Sequence, residues 1–373
     1  MKTKISLIKC RTYDPASVFE SVKNAVALLG GISEFIKPKS RVLVKPNLLI
    51  ATPAQHGITT HPEVARAVIR LLKTIDCTLM LGDGPSVWGY QVENVSAVYE
   101  ATGMKAMCAQ EGVALVDFDK RRWRGKFPLT TWLDQCDYVV NVPKFKTHQL
   151  TVLTAAVKNL FGLVSGTYKT ELHKNYFKRD EFAGILVDIY NEIRPALTVV
   201  DGITALEGEG PGTTGKLREA GVLLAGADCV AIDTILALLM GIKPLDVTTT
   251  KIAALRRIGT HAVEDIEILG ERLADCASTP FLLPTASSLS QKLPAAVVSL
   301  AKKLIRYYPC VERDHCIRCA GCIKACPTKA ITMKKKGIVF DYSKCIACFC
   351  CQETCPSRAI NVKKSLAAKM IGL

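Results

Sequence analysis

Through the first 275 residues, short runs of apolar residues alternate with longer amphipathic stretches. Ile5–Lys9 and Arg41–Lys45 read as strands, and Pro15–Leu29 between them reads as a helix that Asp14 can cap. His61–Ile75 puts Val64, Val68, Leu71 and Leu72 on one helical face. Cys77–Leu81, Val113–Phe118 and Tyr138–Val142 read as further strands, with a helix over Glu93–Thr102. Thr151–Leu163, Glu181–Ile193 and Asp228–Gly241 read as helices, and Leu197–Val200 and Gly221–Ala225 as buried strands. Near-continuous apolar strands separated by helices predict an α/β fold, a mostly parallel sheet with flanking helices.

The rhythm changes after residue 275. Ser278–Ser290 is rich in Ser, Thr and Pro and reads as a linker; Pro294–Tyr308 then offers a basic amphipathic helix that connects two domains. The expected organisation is an α/β domain over residues 1–275, a linker and connecting helix over 276–309, and a small α+β domain over 310–373. Met1–Lys9 lacks the apolar core and cleavage site of a secretory leader. The longest apolar stretch, Gly221–Ile242, is interrupted by Asp228 and Asp233, each costing about 2.5–3.5 kcal/mol near a bilayer centre, so no transmembrane segment is expected. The expected location is cytoplasmic.

Of 373 residues, 49% are hydrophobic and 22% charged, which excludes a disordered chain. The formal charge of +15 would point to nucleic acid if it were spread evenly. It is not: residues 302–373 hold 15 Lys/Arg against 4 Asp/Glu. Ten of the 16 cysteines also lie between Cys310 and Cys355. Lys120–Lys126 is a basic run around one tryptophan and reads as a solvated hairpin, so no nucleic-acid partner is expected.

The clustered cysteines form a repeat with a period of 29 residues. Cys316-Ile-Arg-Cys319-Ala-Gly-Cys322-Ile-Lys-Ala-Cys326-Pro327 recurs as Cys345-Ile-Ala-Cys348-Phe-Cys-Cys351-Gln-Glu-Thr-Cys355-Pro356. Two-residue spacers let three thiolates reach three irons of one cubane, and the fourth cysteine, before proline, turns to the other cluster. Cys316, Cys319, Cys322 and Cys355 are therefore expected to hold one 4Fe–4S cluster, and Cys345, Cys348, Cys351 and Cys326 a second. Zinc would explain the Cys-x-x-Cys pairs, but it requires neither the third spacing nor the Cys-Pro ending. Cys350 and Cys310 are surplus. The run closely resembles bacterial two-cluster ferredoxins, with Lys334–Gly337 as the turn between repeats. One-electron transfer follows, and the basic module would steer an acidic redox partner protein.

Ligands in open α/β sheets sit at the strands' carboxyl ends. Four predicted strands end in polar residues there: Lys45-Pro-Asn47, Gly82-Asp83-Gly84, Asn141-Val-Pro-Lys144-Phe-Lys146-Thr-His148, and Asp201-Gly202 with Glu207 beyond. The helix after His148 carries Lys158 and Asn159. Together these predict a pocket for a cofactor or a small anionic substrate, lined by Lys45, Asn47, Asp83, Lys144, Lys158, Asn159, Asp201 and Glu207. Lys146 and His148 are the candidate catalytic pair, with His148 able to move protons near neutral pH. Gly210-Pro-Gly-Thr-Thr-Gly215-Lys216 fits Gly-x-Gly-x-x-Gly, but the phosphate loop's Ser/Thr is replaced by Leu217 and no long helix follows, so it reads as a turn.

Val44-Lys-Pro-Asn47, Thr60-His-Pro-Glu63, Asn141–His148, Lys158-Asn-Leu-Phe-Gly162, Asp201-Gly-Ile203, Glu207-Gly-Glu-Gly-Pro211 and Ala225–Asp233 together resemble the family catalogued as domain of unknown function 362, over roughly residues 40–240. A C-terminal ferredoxin module is frequent in that family, and the resemblance assigns no catalytic residue. The leading expectation is an anaerobic iron–sulfur oxidoreductase whose two clusters pass electrons to a substrate or cofactor in the α/β domain. The alternative is a non-enzymatic electron carrier or assembly protein whose α/β domain binds a protein partner. A flavodoxin-like FMN domain is a third reading that lacks a convincing phosphate loop.

Overall fold

The computed structural model describes residues 2–85, 87–88, 91–92, 94–277, 279–285 and 307–365. The end of the expected Ser278–Ser290 linker and most of the Pro294–Tyr308 helix lie outside the described residues.

Ten strands build one mixed, mostly parallel sheet. In chain order they are β1 (Thr3–Lys9), β2 (Arg41–Pro46), β3 (Thr78–Leu81), β4 (Ala114–Leu115), β5 (Tyr138–Val142), β6 (Lys144–His148), β7 (Val152–Thr154), β8 (Leu197–Gly208), β9 (Gly215–Gly226) and β10 (Ile266–Gly270). The spatial order is β10-β1-β9-β8-β5-β2-β3-β4, with β6 paired to β8 and β7. The β8–β5–β2–β3–β4 stretch is parallel throughout. Strand β9 runs antiparallel to both β8 and β1. Helices cover both faces, leaving one apolar layer against each.

Local chemistry explains the helix starts. Asp14 accepts the Ser17 amide at 2.9 Å and Pro15 supplies a preset φ, opening the Pro15–Ala27 helix. At Pro62–Lys73 the capping acceptor is His61 Nδ1, 3.3 Å from the Glu63 amide. This is the helix-start role that a lone histidine commonly plays.

Three expected elements differ. Thr151–Leu163 is not one helix: Val152–Thr154 pairs antiparallel with β6, and only Ala156–Asn159 is α-helical before a 3-10 turn over Leu160–Leu163. Val152 has φ of 70°, which breaks a helix, and β-branched Thr151, Val152 and Thr154 suit the extended backbone. The two strands expected at Leu197–Val200 and Gly221–Ala225 are longer. They continue as a two-stranded arm to the Gly208–Gly215 pair, so Gly210–Gly215 lies in a hairpin turn. The chain meets the second cysteine segment there: Thr213 Oγ1 donates to the Cys355 carbonyl at 2.6 Å. Gly212 is required, because a Cβ would lie 2.8 Å from the Glu353 carbonyl oxygen.

In the cysteine-rich region Tyr307–Val311 pairs antiparallel with Ile360–Lys364, so Tyr307 and Tyr308 are strand and not helix end. Ile331–Lys334 and Gly337–Phe340 form the hairpin whose turn the lysines predict. The 29-residue repeat is visible in the backbone. Arg318, Ala320 and Lys329 have φ of 56°, 61° and 55°, and Ala347, Phe349 and Arg358 have 52°, 61° and 57°. Among the described residues, no helix is long and apolar enough to cross a membrane.

Candidate functional site

The thiols of the repeat group as two sets. Burial, and then the charges of Cys355, Cys319 and Cys316, push the Cys322 thiol up to about 11. Cys351 is pushed up by burial and then by Cys348, Cys345, Cys322 and Cys326. Cys322 and Cys351 thus each lie among other thiols of the repeat, and they feel each other. Crowded thiols of this kind ionise together only around a positive core. The two cysteines that end the motifs also accept amide hydrogen bonds: Ala330 N lies 3.1 Å from Cys326 Sγ, and Ala359 N lies 3.2 Å from Cys355 Sγ. Among the described residues no three Cys, His, Asp or Glu side chains converge as they would about one ion, whereas a cubane spreads its ligands around a larger body. The donor set fits iron–sulfur clusters.

A cavity of about 100 Å³ opens beside the second cysteine segment, at the carboxyl ends of β2 and β3. Its floor is an ion pair. Lys45 Nζ lies 2.7 Å from Asp83 Oδ1, with the two side chains 0% and 3% exposed. Asp83 Oδ2 also accepts the Leu48 amide at 2.7 Å. Asn159 braces the pair: its Oδ1 accepts from Lys45 Nζ at 3.2 Å and Asn47 Nδ2 at 3.0 Å, and its Nδ2 donates to Asn141 Oδ1 at 2.8 Å. A Cβ on Gly162 would collide with Asp83 Oδ1 and Lys45 Nζ, so the Lys158–Gly162 motif has to end in glycine to pass over them.

Three cationic or titratable side chains face this floor. Lys158 donates no hydrogen bond among the described residues; burial lowers its pKa, against the attraction of Glu353. Lys169, from the Tyr168–Asn175 helix, donates to the carbonyls of Gly84 and Pro85. Burial pushes it down to about 7, against the pull of Asp83 and with repulsion from Lys45 and Lys158. His173, one turn on, is pushed down to about 4 by burial and is neutral at physiological pH. The cysteine segment supplies Cys350, Glu353 and Thr354 to the same cavity. Glu353 Oε1 is 3.3 Å from His148 Nε2. His148 Nδ1 accepts the amides of Leu150 and Thr151 at 3.0 and 3.2 Å, so its ring proton sits on Nε2 and faces Glu353. Burial holds His148 down to about 3. Burial would raise the Glu353 carboxyl, but the contact with His148 and the nearby charge of Lys158 outweigh it and hold it down to about 2.

Of the residues expected at the pocket, Asn47, Asp83, Lys158 and Asn159 line it and Lys45 sits directly beneath. The others lie elsewhere. Lys144 pairs with Asp201 at 2.8 Å, both side chains fully buried, and Asp201 also takes the Tyr13 hydroxyl and the His61 amide. Lys146 Nζ donates to the Ile58 carbonyl at 2.6 Å. Glu207 pairs with Arg218 across the β8–β9 arm at 2.9 Å. His148 stands behind Glu353. Strand β6 carries Lys144, Lys146 and His148 off the main ladder, which separates them from the β2 and β3 ends.

Lys169, His173 and Glu353 were not expected. The first two lie in a polar stretch without a strand end to flag it, and Glu353 is hidden inside a cysteine motif. Asp233 was also missed as a support. It is 1% exposed and accepts the amides of Ala156 at 2.8 Å and Val157 at 3.2 Å, fixing the turn that carries Lys158 and Asn159. Asp233→Ala is expected to cost about 2–3 kcal/mol in urea unfolding, because two buried amides lose their acceptor.

Two family models match separate parts of the chain. The family model described as "Domain of unknown function (DUF362)" matches residues 42–237, and a "4Fe-4S dicluster domain" matches residues 315–359. The chain is 32% identical over 268 residues to "Thylakoid-associated protein sll1697" of Synechocystis sp. (strain ATCC 27184 / PCC 6803 / Kazusa), covering 70% of this chain and 81% of that protein. Among solved structures it has a TM-score of 0.36 and 10% identity to the lactate racemase apoprotein from Thermoanaerobacterium thermosaccharolyticum, over 61% of this chain and 54% of that one, about half of its length. The chain belongs to the family described as domain of unknown function DUF362, and it carries a 4Fe-4S dicluster domain at its C-terminal end.

Proposed function

We propose that the chain is an iron–sulfur oxidoreductase that reduces a small anionic molecule in the cavity between the strand ends and the second cysteine segment. One observation carries this reading: Cys350, Glu353 and Thr354, interleaved with the ligand cysteines, line the same cavity as Lys158 and Lys169. A substrate there would sit within a few residues of a cluster. In this reading Cys316, Cys319, Cys322 and Cys355 hold one 4Fe–4S cluster and Cys345, Cys348, Cys351 and Cys326 the other. The clusters supply single electrons at low potential.

The chain's own residues do the rest. Lys158, which has no hydrogen-bond partner among the described residues, binds the anionic group of the substrate. Asn47 and Asn159, tied to each other, fix the wall beside it. Each electron added to the substrate raises its negative charge by one, and Lys169 is the group placed and tuned to return a proton. His148 acts as a positioning residue: its Nε2–H steadies Glu353 and so keeps the cysteine segment seated on the cavity. Lys146 stays structural, bound to the Ile58 carbonyl. The thiols require a reducing compartment, which supports a cytoplasmic location.

The test is anaerobic purification followed by iron and sulfide determination and mass analysis of the copurifying small molecules. About eight irons and eight sulfides per chain are expected, together with an anion released on denaturation and lost in Lys158→Met. Stoichiometric zinc without sulfide would overturn the cluster assignment; a cavity that retains and reduces no anion would overturn the enzyme.

A further inference from the structure

The two cysteine motifs are repeats in sequence and backbone but not in burial. In the first, Ile317, Arg318 and Cys319 are all exposed, and Ile317 shows 64% of its surface. At the equivalent positions of the second, Ile346 and Ala347 are half-buried and Cys348 is buried. The second motif is covered because its helix Cys350–Glu353 faces the cavity and the turn of the β8–β9 arm grips its end. Among the described residues nothing comparable covers Ile317–Cys319: the first motif reaches the cavity at Ala325 and Pro327, beyond this loop, and leaves the Cys319 thiol at the surface.

We propose that the Arg313–Cys319 loop is the docking face for a small acidic electron-transfer protein. Electrons then pass in a fixed order, from that partner through the set of Cys316, Cys319, Cys322 and Cys355 to the set beside the cavity. Ile317 is the apolar anchor at the centre of the contact, and Arg313 and Arg318 flank it with positive charge. Glu312, which precedes the loop and lies 3.1 Å from His315, and Asp314 oppose the two arginines, so the module's overall charge selects the partner. Across the described module, 11 Lys/Arg stand against 4 Asp/Glu, so the long-range field also favours an acidic partner. Each encounter transfers one electron: the reduced partner is oxidised by one and an oxidised cluster held by this face is reduced by one. The inference rests on the reading of the module as an electron path, and it assigns the direction of that path.

The probe is a reduced flavodoxin, an acidic one-electron donor, mixed with the holoprotein in stopped flow with no cavity substrate present. Ile317→Asp and Arg318→Glu are each expected to lower the second-order rate of cluster bleaching about tenfold and to weaken flavodoxin binding about tenfold. The wild-type rate should fall with added salt, and less steeply in Arg318→Glu. Iron content and reduction by dithionite should not change. Arg313→Glu, outside the ligand run, carries the same test if the other two variants lose iron. Unchanged flavodoxin rates would overturn the assignment. So would a loss appearing instead in Lys335→Glu, on the far hairpin turn. Because no cavity chemistry is read, failure of the proposed enzyme leaves this result intact.

Discussion

Asp83→Ala should destabilise the protein by about 3–5 kcal/mol, measured as the shift in urea unfolding. Lys45 would be left fully buried with its opposite charge removed, and burial already works against its ammonium form. The remaining acceptors, the Pro46 carbonyl and Asn159 Oδ1, satisfy its hydrogen bonds but not its charge. The double variant Lys45→Met/Asp83→Leu should recover most of the loss, because the desolvation of two ions disappears together with their attraction. A double variant as unstable as Asp83→Ala alone would show that the cost comes from the Leu48 amide and repacking, and not from the stranded lysine. The pair offers little net stability, so its place under the cavity is better explained by the potential it sets there. Iron content should be unaffected in both variants, since neither residue touches the cysteine segment.

Much of this arrangement was legible in the sequence because it depends on local rules. The strand ends at Lys45–Asn47 and Asp83 follow from short apolar runs closing in polar residues, and the cysteine sets follow from spacing repeated twice. What could not be read depends on long-range geometry. Lys144 and Asp201 end strands as Lys45 does, yet they satisfy each other inside the sheet, with Tyr13 completing the group. Glu207 looked like a cavity carboxylate because the arm beyond Val200 was not foreseen; its alternation of exposed and buried residues is weak, and only pairing with β9 extends it. The glycine-rich segment is the turn that its sequence suggests, but its contact with Cys355 and Glu353 spans about 140 residues of chain. The same holds for Glu353, whose role exists only once the module is seated against His148. Sequence spacing located the dicluster domain and four residues of the cavity wall, Asn47, Asp83, Lys158 and Asn159. Docking of one on the other had no local signature.

Turnover in the cavity should fall about tenfold for each pH unit above about 7, while the folded protein becomes more stable over the same range. Both follow from Lys169. In the proposed reaction its ammonium is the proton donor, and burial moves its titration to about 7, so the donor form is lost above that pH. Stability moves the other way. An unfolded lysine keeps its proton until about pH 10.4, so between about 7 and 10 the unfolded chain binds more protons and rising pH favours the native state. Lys169→Met should lower the single-turnover rate by about 10²–10⁴-fold and flatten both profiles. Lys169→Arg keeps the charge but cannot give up a proton near neutrality; it should bind the anion and still turn over poorly. The opposing slopes separate the donor from a structural cation. If Lys169 only held the Gly84 and Pro85 carbonyls, arginine would restore the rate, and activity would follow stability upward with pH.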